Sequence, residues 1–175
     1  MDDTPRGGLR RDRMLLGAVL LGALGHLATY YPSLPERVAS HFDAAGRPDG
    51  WMSRDAFATT LVLVYALLGG GFLLLPRVLA RLPDSMVNVP NKTHWLAPPR
   101  RAASLARLGR RLLRFGAVNV VLVVFLVHQT LAVNVGAATT LRGFVPALVA
   151  YALYAVIWTV GLVRDFRLPP GAAAE

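Results

Sequence analysis

The sequence predicts an all-α integral membrane protein, a four-transmembrane-helix bundle with one interfacial amphipathic helix. Its 175 residues are 54% hydrophobic and only 17% charged, far from the composition of a soluble domain. It also contains four apolar runs without an acidic or basic residue, and a bilayer core about 30 Å thick requires roughly 20 such residues in a helix. We therefore expect one membrane domain over residues 1–175, with spans at residues 14–31, 56–75, 115–134 and 145–163.

The first run is interpreted as a span and not as a signal peptide. Arginines precede it, as in a signal peptide, but the run is longer than a typical apolar signal core, and it ends in the bulky Tyr30-Tyr31-Pro32 instead of small cleavage-site residues. In the second run, three consecutive glycines at 69–71 indicate close helix packing. That packing lies either within one bundle or, as the alternative, between copies in a homo-oligomer.

The distribution of basic residues predicts the orientation. Fifteen of the nineteen Lys and Arg residues precede span one, lie between spans two and three, or follow span four, and the other four lie in the opposite segments. By the positive-inside rule, both termini should be cytoplasmic. We expect a bacterial cytoplasmic membrane protein with an outer loop at 32–55 and an inner loop at 76–114.

Residues 100–114 of the inner loop have the pattern of an amphipathic helix at the membrane surface. Leu105, Leu108, Leu112 and Phe115 follow one another at spacings of three, four and three. Near an anionic leaflet each arginine contributes on the order of 1 kcal/mol, so we expect lipid headgroups as partners. Nucleic acid is not expected, because the segment is tethered at the bilayer and lacks interleaved aromatic residues. The candidate lipid-binding residues are Arg100, Arg101, Arg107, Arg110, Arg111 and Arg114.

The inner loop at 82–98 is rich in proline and in clustered polar and aromatic residues. Three prolines exclude a continuous helix. The segment is either a structural loop or a cytoplasmic binding site in which His94 titrates. Its candidate partner-binding residues are Asn88, Asn91, His94 and Trp95.

The outer loop carries a compact polar constellation between spans one and two. A Pro-Asp-Gly turn at 48–50 predicts an ordered loop. In extended geometry His41 and Asp43 point one way and Phe42 points into the bundle. His41 and Asp43 are candidate catalytic residues, while Phe42, Asp49 and Trp51 are candidate partner-binding residues.

Two further histidines lie inside the apolar runs, where polar residues are costly and are functional candidates. At 1.5 Å per residue, His26 and His128 lie about 18 and 20 Å from the inner ends of their spans. Together with His41 and Asp43 they would supply ligands for a divalent metal such as zinc. The alternative is that each histidine bonds to a neighbouring backbone or hydroxyl group. Thiolate ligands are excluded because the chain has no cysteine.

Part of the outer loop resembles a known family. The segment His41-Phe42, Gly46 and Pro48-Asp49-Gly50-Trp51, with Pro35 and Ser53, is similar to the signature of the bacterial SdpI-like family, whose members carry a domain of unknown function. A second stretch at 88–96, with Asn88, Pro90, Asn91, Lys92, Trp95 and Leu96, also resembles a loop of some relatives. The resemblance implies an immunity and signalling role, in which the protein protects its cell from a secreted peptide toxin and holds a transcriptional repressor at the membrane.

The sequence leaves three functions open. The first is a non-enzymatic membrane protein, immunity-like or sensory, that binds a peptide, lipid or protein through its outer loop and bundle. The second is a membrane enzyme that uses His41 and Asp43 for acid–base or metal-assisted hydrolysis at the outer face. The third is a small transporter that uses His26 and His128.

Overall fold

The structure, a computed structural model, describes residues 5–171. Four of the helices in this part of the chain are long and apolar enough to cross a membrane, which confirms the predicted all-α bundle and makes this a multi-pass membrane protein. In chain order the elements are α1 (Pro5–Tyr30), β1 (Arg37–Phe42), β2 (Pro48–Ser53), α2 (Arg54–Arg81), α3 (Lys92–Trp95), α4 (Pro98–Asn134) and α5 (Phe144–Asp165), with short 3-10 turns at Tyr31–Ser33 and Asp84–Met86.

The long helices are connected so that the two ends of the bundle differ. The β1–β2 hairpin joins α1 to α2 and lies near the end of α4; we call this end the hairpin side. At the other end the first halves of α1 and α4 and the end of α5 meet through ion pairs. We call that end the basic side.

The core lies among α1, α2 and α4. Leu16, Tyr65, Leu113, Val120 and Leu131 are almost fully buried within one cluster. By contrast, α5 contains no buried residue and lies chiefly against α4. An apolar helix with no buried face within the bundle presents its side chains to lipid or to another protein.

The glycines of the second span pack unequally. A Cβ atom at Gly69 would lie 2.2 Å from Leu20 of α1, whereas one at Gly70 or Gly71 would meet no atom within 4 Å. Gly69 therefore serves close packing within the bundle. The alternative of a seam between copies stays a prediction.

The prediction of a separate interfacial helix at 100–114 is wrong. These residues form the first part of α4, a single helix of 37 residues, and not a separate helix in the headgroup layer. No proline follows Pro99 before the end of α4 to interrupt its hydrogen bonds. The apolar stripe packs on protein instead of lipid, because Leu105 and Leu108 belong to a buried cluster with Leu79 and Phe166.

The loop between α1 and α2 contains regular structure that the sequence did not predict. Strands β1 and β2 pair antiparallel, with Val38 opposite Met52 and His41 opposite Gly50. The register shifts on either side of His41, as at a β-bulge. The loop is therefore a twisted hairpin with its own fixed geometry.

Candidate functional site

The hairpin is fastened to the bundle at two points. The side-chain Oδ1 of Asn134 in α4 accepts from Ala39 N–H at 2.7 Å, and its Nδ2 donates to Ala39 C=O at 2.9 Å. At the tip, Leu141 N–H donates to Gly46 C=O at 2.9 Å. Gly46 has a φ of +74°, a conformation in which glycine avoids a steric cost. These contacts fix the hairpin relative to the helices.

One face of the hairpin carries a hydrogen-bonded histidine–carboxylate pair. His41 Nδ1 bonds to Asp49 Oδ1 across the two strands. The side chains are 75% and 44% exposed. A Cβ atom at Gly50 would lie 2.9 Å from the Cβ of His41, so a glycine at position 50 makes room for the histidine. Trp51, next in the chain, is also half exposed.

His41 and Asp43, predicted from extended geometry to point one way, have different partners. Strand β1 ends at Phe42, so the alternation that would align the two side chains stops there. Asp43 Oδ1 instead accepts from Ala45 N–H at 2.8 Å and Arg47 N–H at 2.9 Å, which closes the hairpin turn. Phe42 is partly buried. The carboxylate that accompanies His41 is that of Asp49.

The two histidines of the spans lie against each other. His26 Nε2 of α1 and His128 Nδ1 of α4 are 3.2 Å apart. The hydroxyl group of Tyr30 lies 3.5 Å from the same nitrogen of His128. His26 Nδ1 is buried with no hydrogen-bond partner in the described part of the chain. The pair joins α1 to α4 in the half of the bundle nearer the hairpin.

The structure does not assemble the four predicted metal ligands into one site. Among residues 5–171 no group of three or more His, Cys, Asp or Glu residues could hold a metal ion. His26 and His128 form one pair, while His41 lies on the exposed hairpin face and Asp43 closes the turn. Zinc sites use three or four protein ligands, so neither the His26–His128 pair nor the His41–Asp49 pair alone fits zinc.

On the basic side, the loop between α2 and α4 covers the end of α5. Asn91 Nδ2 and Trp95 Nε1 donate to the carbonyl oxygen of Phe166 at 2.8 and 2.9 Å. Arg107 Nη1 donates to the carbonyl oxygen of Asp165 at 3.0 Å. These donors satisfy carbonyl groups that a helix end leaves unpaired. Asn91 and Trp95 thus have a structural role, and their predicted binding of a partner stays a prediction.

The other two candidates of this loop have different surroundings. The ring of His94 stacks edge-on against Trp95, with 5.0 Å between centroids, and its carbonyl oxygen accepts from Arg100 Nε at 2.7 Å. Asn88 is exposed. A partner-binding role for either stays a prediction.

Two carboxylates that the sequence analysis missed hold the arginines of α4. Asp12 of α1 is only 4% exposed. Its Oδ2 accepts from Arg110 Nε at 3.3 Å and its Oδ1 from Arg114 Nε at 3.0 Å. Asp165 Oδ2 accepts from Arg111 Nε at 2.5 Å. Two features of the sequence indicate such ion pairs. Positions 110 and 114 share one helix face, as do 107 and 111, and Asp12 is an acidic residue within a basic run.

These contacts define the class as a multi-pass membrane protein that displays a fastened β-hairpin on one side and an arginine cluster on the other. Residues 18–68 match the profile of a family described as a domain of unknown function, DUF1648. The matched segment includes the second half of α1, the hairpin and the first half of α2. No curated protein and no solved structure matches the chain.

Proposed function

We propose that this chain is a non-enzymatic binding protein of the bacterial cytoplasmic membrane, immunity-like or sensory, that binds a peptide or protein partner through its hairpin. The observation that carries the proposal is the fastened hairpin with His41, Asp49 and Trp51 exposed on it. The excess of arginine on the basic side supports an orientation with that side in the cytoplasm. The hairpin would then meet molecules that arrive from outside the cell.

The rigidity of the hairpin favours binding. A surface already ordered before the encounter loses little conformational entropy when a partner docks. The two bonds of Asn134 to Ala39 and the bond from Leu141 to Gly46 supply that order. Tryptophan is also among the residues that contribute most to interfaces, and half of the surface of Trp51 is available to a partner.

The surroundings of His41 favour binding over catalysis. Within residues 5–171, the hydrogen bond of its side chain is to Asp49, and no side-chain hydroxyl of this part of the chain is bonded to it as a protein nucleophile would be. Its side chain is three-quarters exposed, whereas acid–base catalysis is most effective where water is excluded. The pair therefore suits recognition of a polar or charged group on a partner.

The resemblance to the SdpI-like family supports the immunity-like form of the proposal. The residues that carry the resemblance are those that build the hairpin: Gly46 allows the turn, Gly50 makes room for His41, and Asp49 bonds to it. The signature residues therefore shape one exposed surface, and a binding function requires such a surface.

The proposal is tested by challenging cells with secreted membrane-active peptides. Cells that make the wild-type chain should survive concentrations that kill cells without it, and Trp51→Ala should remove most of that protection. Arg77→Ala, an exposed change on the basic side, is the control and should protect like the wild type. Equal protection by wild type and Trp51→Ala would contradict binding at the hairpin.

A direct measurement separates binding from catalysis. A toxic peptide against which the chain protects cells should be recovered chemically intact after incubation with the purified protein in nanodiscs. It should change the tryptophan fluorescence of the wild type more than that of Trp51→Phe. Cleavage of the peptide that is lost in His41→Ala would contradict the proposal and favour the enzyme.

A further inference from the structure

A pocket of about 370 Å³ opens between α4 and α5 on the basic side. We propose that it binds the headgroup of an anionic phospholipid with two phosphate groups, of the cardiolipin type. The proposal concerns the opposite side of the bundle from the hairpin and does not depend on its function. The pocket is lined by Arg107, Arg110, Arg111, Arg114, Tyr154, Trp158 and Asp165.

The charge of this site is positive and incompletely neutralised. Four guanidinium groups line the pocket, and the two carboxylates bonded to them are those of Asp12 and Asp165. The cluster therefore carries two positive charges in excess. Two phosphodiester groups, with one negative charge each, would neutralise it.

The arginines are held in a way that leaves their terminal donors available. The carboxylates bond to the Nε atoms of Arg110, Arg111 and Arg114. In the described part of the chain, the terminal Nη atoms of these three residues have no protein acceptor. A guanidinium presents five N–H donors in a planar fork that matches the oxygens of a phosphate.

The packing around the pocket keeps these groups in place. A Cβ atom at Gly161 of α5 would lie 3.0 Å from Arg111 Nη1, so the glycine leaves space for the guanidinium between the helices. On the other side, Asp12 is buried and holds Arg110 and Arg114 together. A site that is ordered before the ligand arrives binds it with a smaller entropic cost.

The apolar surface next to the pocket favours a lipid over a soluble phosphate. Phe115 lies 4.6 Å from Trp158 and 6.0 Å from Tyr154, centroid to centroid, between α4 and α5. These rings extend from the arginines into the apolar part of both spans, beside the unburied face of α5. Tyr and Trp are the residues found at headgroup level in membranes, and basic pockets between spans bind cardiolipin headgroups. The acyl chains would lie along this aromatic surface.

The proposal is tested with purified protein in detergent, titrated with cardiolipin, phosphatidylglycerol, phosphatidylcholine or inorganic phosphate, with bound lipid counted by native mass spectrometry. We expect one cardiolipin to bind more tightly than phosphatidylglycerol, and phosphatidylcholine not to compete. Arg114→Gln should weaken cardiolipin binding about tenfold, since one charge-assisted phosphate contact is lost. Arg77→Gln, an exposed change on α2 that removes the same charge, should leave binding unchanged.

A second variant guards against a folding defect. Arg111→Lys keeps the positive charge beside Asp165 but lacks the planar fork, and it should weaken cardiolipin binding several-fold in a protein with wild-type circular dichroism. Equal weakening by Arg77→Gln would show only a diffuse basic surface and would overturn the proposal. Displacement of cardiolipin by millimolar inorganic phosphate would overturn it in favour of a soluble ligand.

Discussion

The side chain of Asn134 makes both backbone hydrogen bonds that a neighbouring strand would make to Ala39. It accepts from the N–H of Ala39 and donates to the C=O of the same residue. Ala39 is 3% exposed, so both backbone groups would otherwise be buried without partners. Together with the bond from Leu141 to Gly46, this residue at the end of α4 holds the proposed binding surface in position, although 95 residues separate Ala39 from Asn134 in the sequence.

We predict that Asn134→Ala releases the hairpin from α4. Loss of the two bonds leaves buried backbone groups unpaired, at a cost of roughly 2 kcal/mol. Hydrogen exchange followed by mass spectrometry should show faster exchange over residues 37–42 with little change in the helices. Asn88→Ala, an exposed asparagine, is the control. Unchanged exchange in Asn134→Ala would show that the hairpin is held by other contacts.

The ion pairs of the basic side should contribute to stability in order of their burial. The side chains of Asp12, Asp165 and Asp84 are 4%, 35% and 49% exposed. Asp12→Asn removes the shared counter-ion of Arg110 and Arg114, whose own side chains are partly exposed, and should cost about 1–2 kcal/mol. Asp84→Asn should cost less than about 1 kcal/mol, because its pair with Arg101 is solvent-screened.

The measurement for this series is thermal unfolding in one detergent. We expect the unfolding temperature to fall most for Asp12→Asn, less for Asp165→Asn and least for Asp84→Asn. Equal shifts for all three would mean that burial does not determine the strength of these pairs.

Helix packing gives a prediction in which two similar substitutions differ. A Cβ atom at Gly116 would lie 2.6 Å from the Cβ of Phe72, and a Cβ atom does not move without its backbone. Gly116→Ala should therefore push α2 from α4 and destabilise the protein by roughly 1–3 kcal/mol. Gly71→Ala meets no atom within 4 Å and should be neutral or slightly stabilising. Thermal unfolding of both variants decides, and an equal effect would contradict this packing.

The orientation is testable because the chain contains no cysteine. Ala44→Cys places one thiol in the hairpin turn, and Ser85→Cys places one in the exposed loop on the basic side. In intact cells a membrane-impermeant maleimide should label Ala44→Cys, whereas Ser85→Cys should react only after the membrane is permeabilised. Labelling of Ser85→Cys alone in intact cells would reverse the predicted orientation.

The number of spans follows from the sequence alone. Within a bilayer the backbone must satisfy its own hydrogen bonds, so an apolar run of sufficient length becomes a helix whatever its neighbours are. The four runs are all helices, although each helix extends beyond its run. The ends were less predictable, because polar residues such as those at 100–114 continue a helix when no proline interrupts it.

The side-chain pairs were decided only by the tertiary structure. His41 has two carboxylates nearby in the sequence, and the end of β1 at Phe42 selects Asp49 over Asp43. Asp12 finds its arginines 98 and 102 residues away. Apolar spans form because each residue contributes its own free energy of transfer into lipid, and this contribution can be predicted from the sequence. Pairing depends on the rotation and register of separate helices, and these are set by the whole bundle.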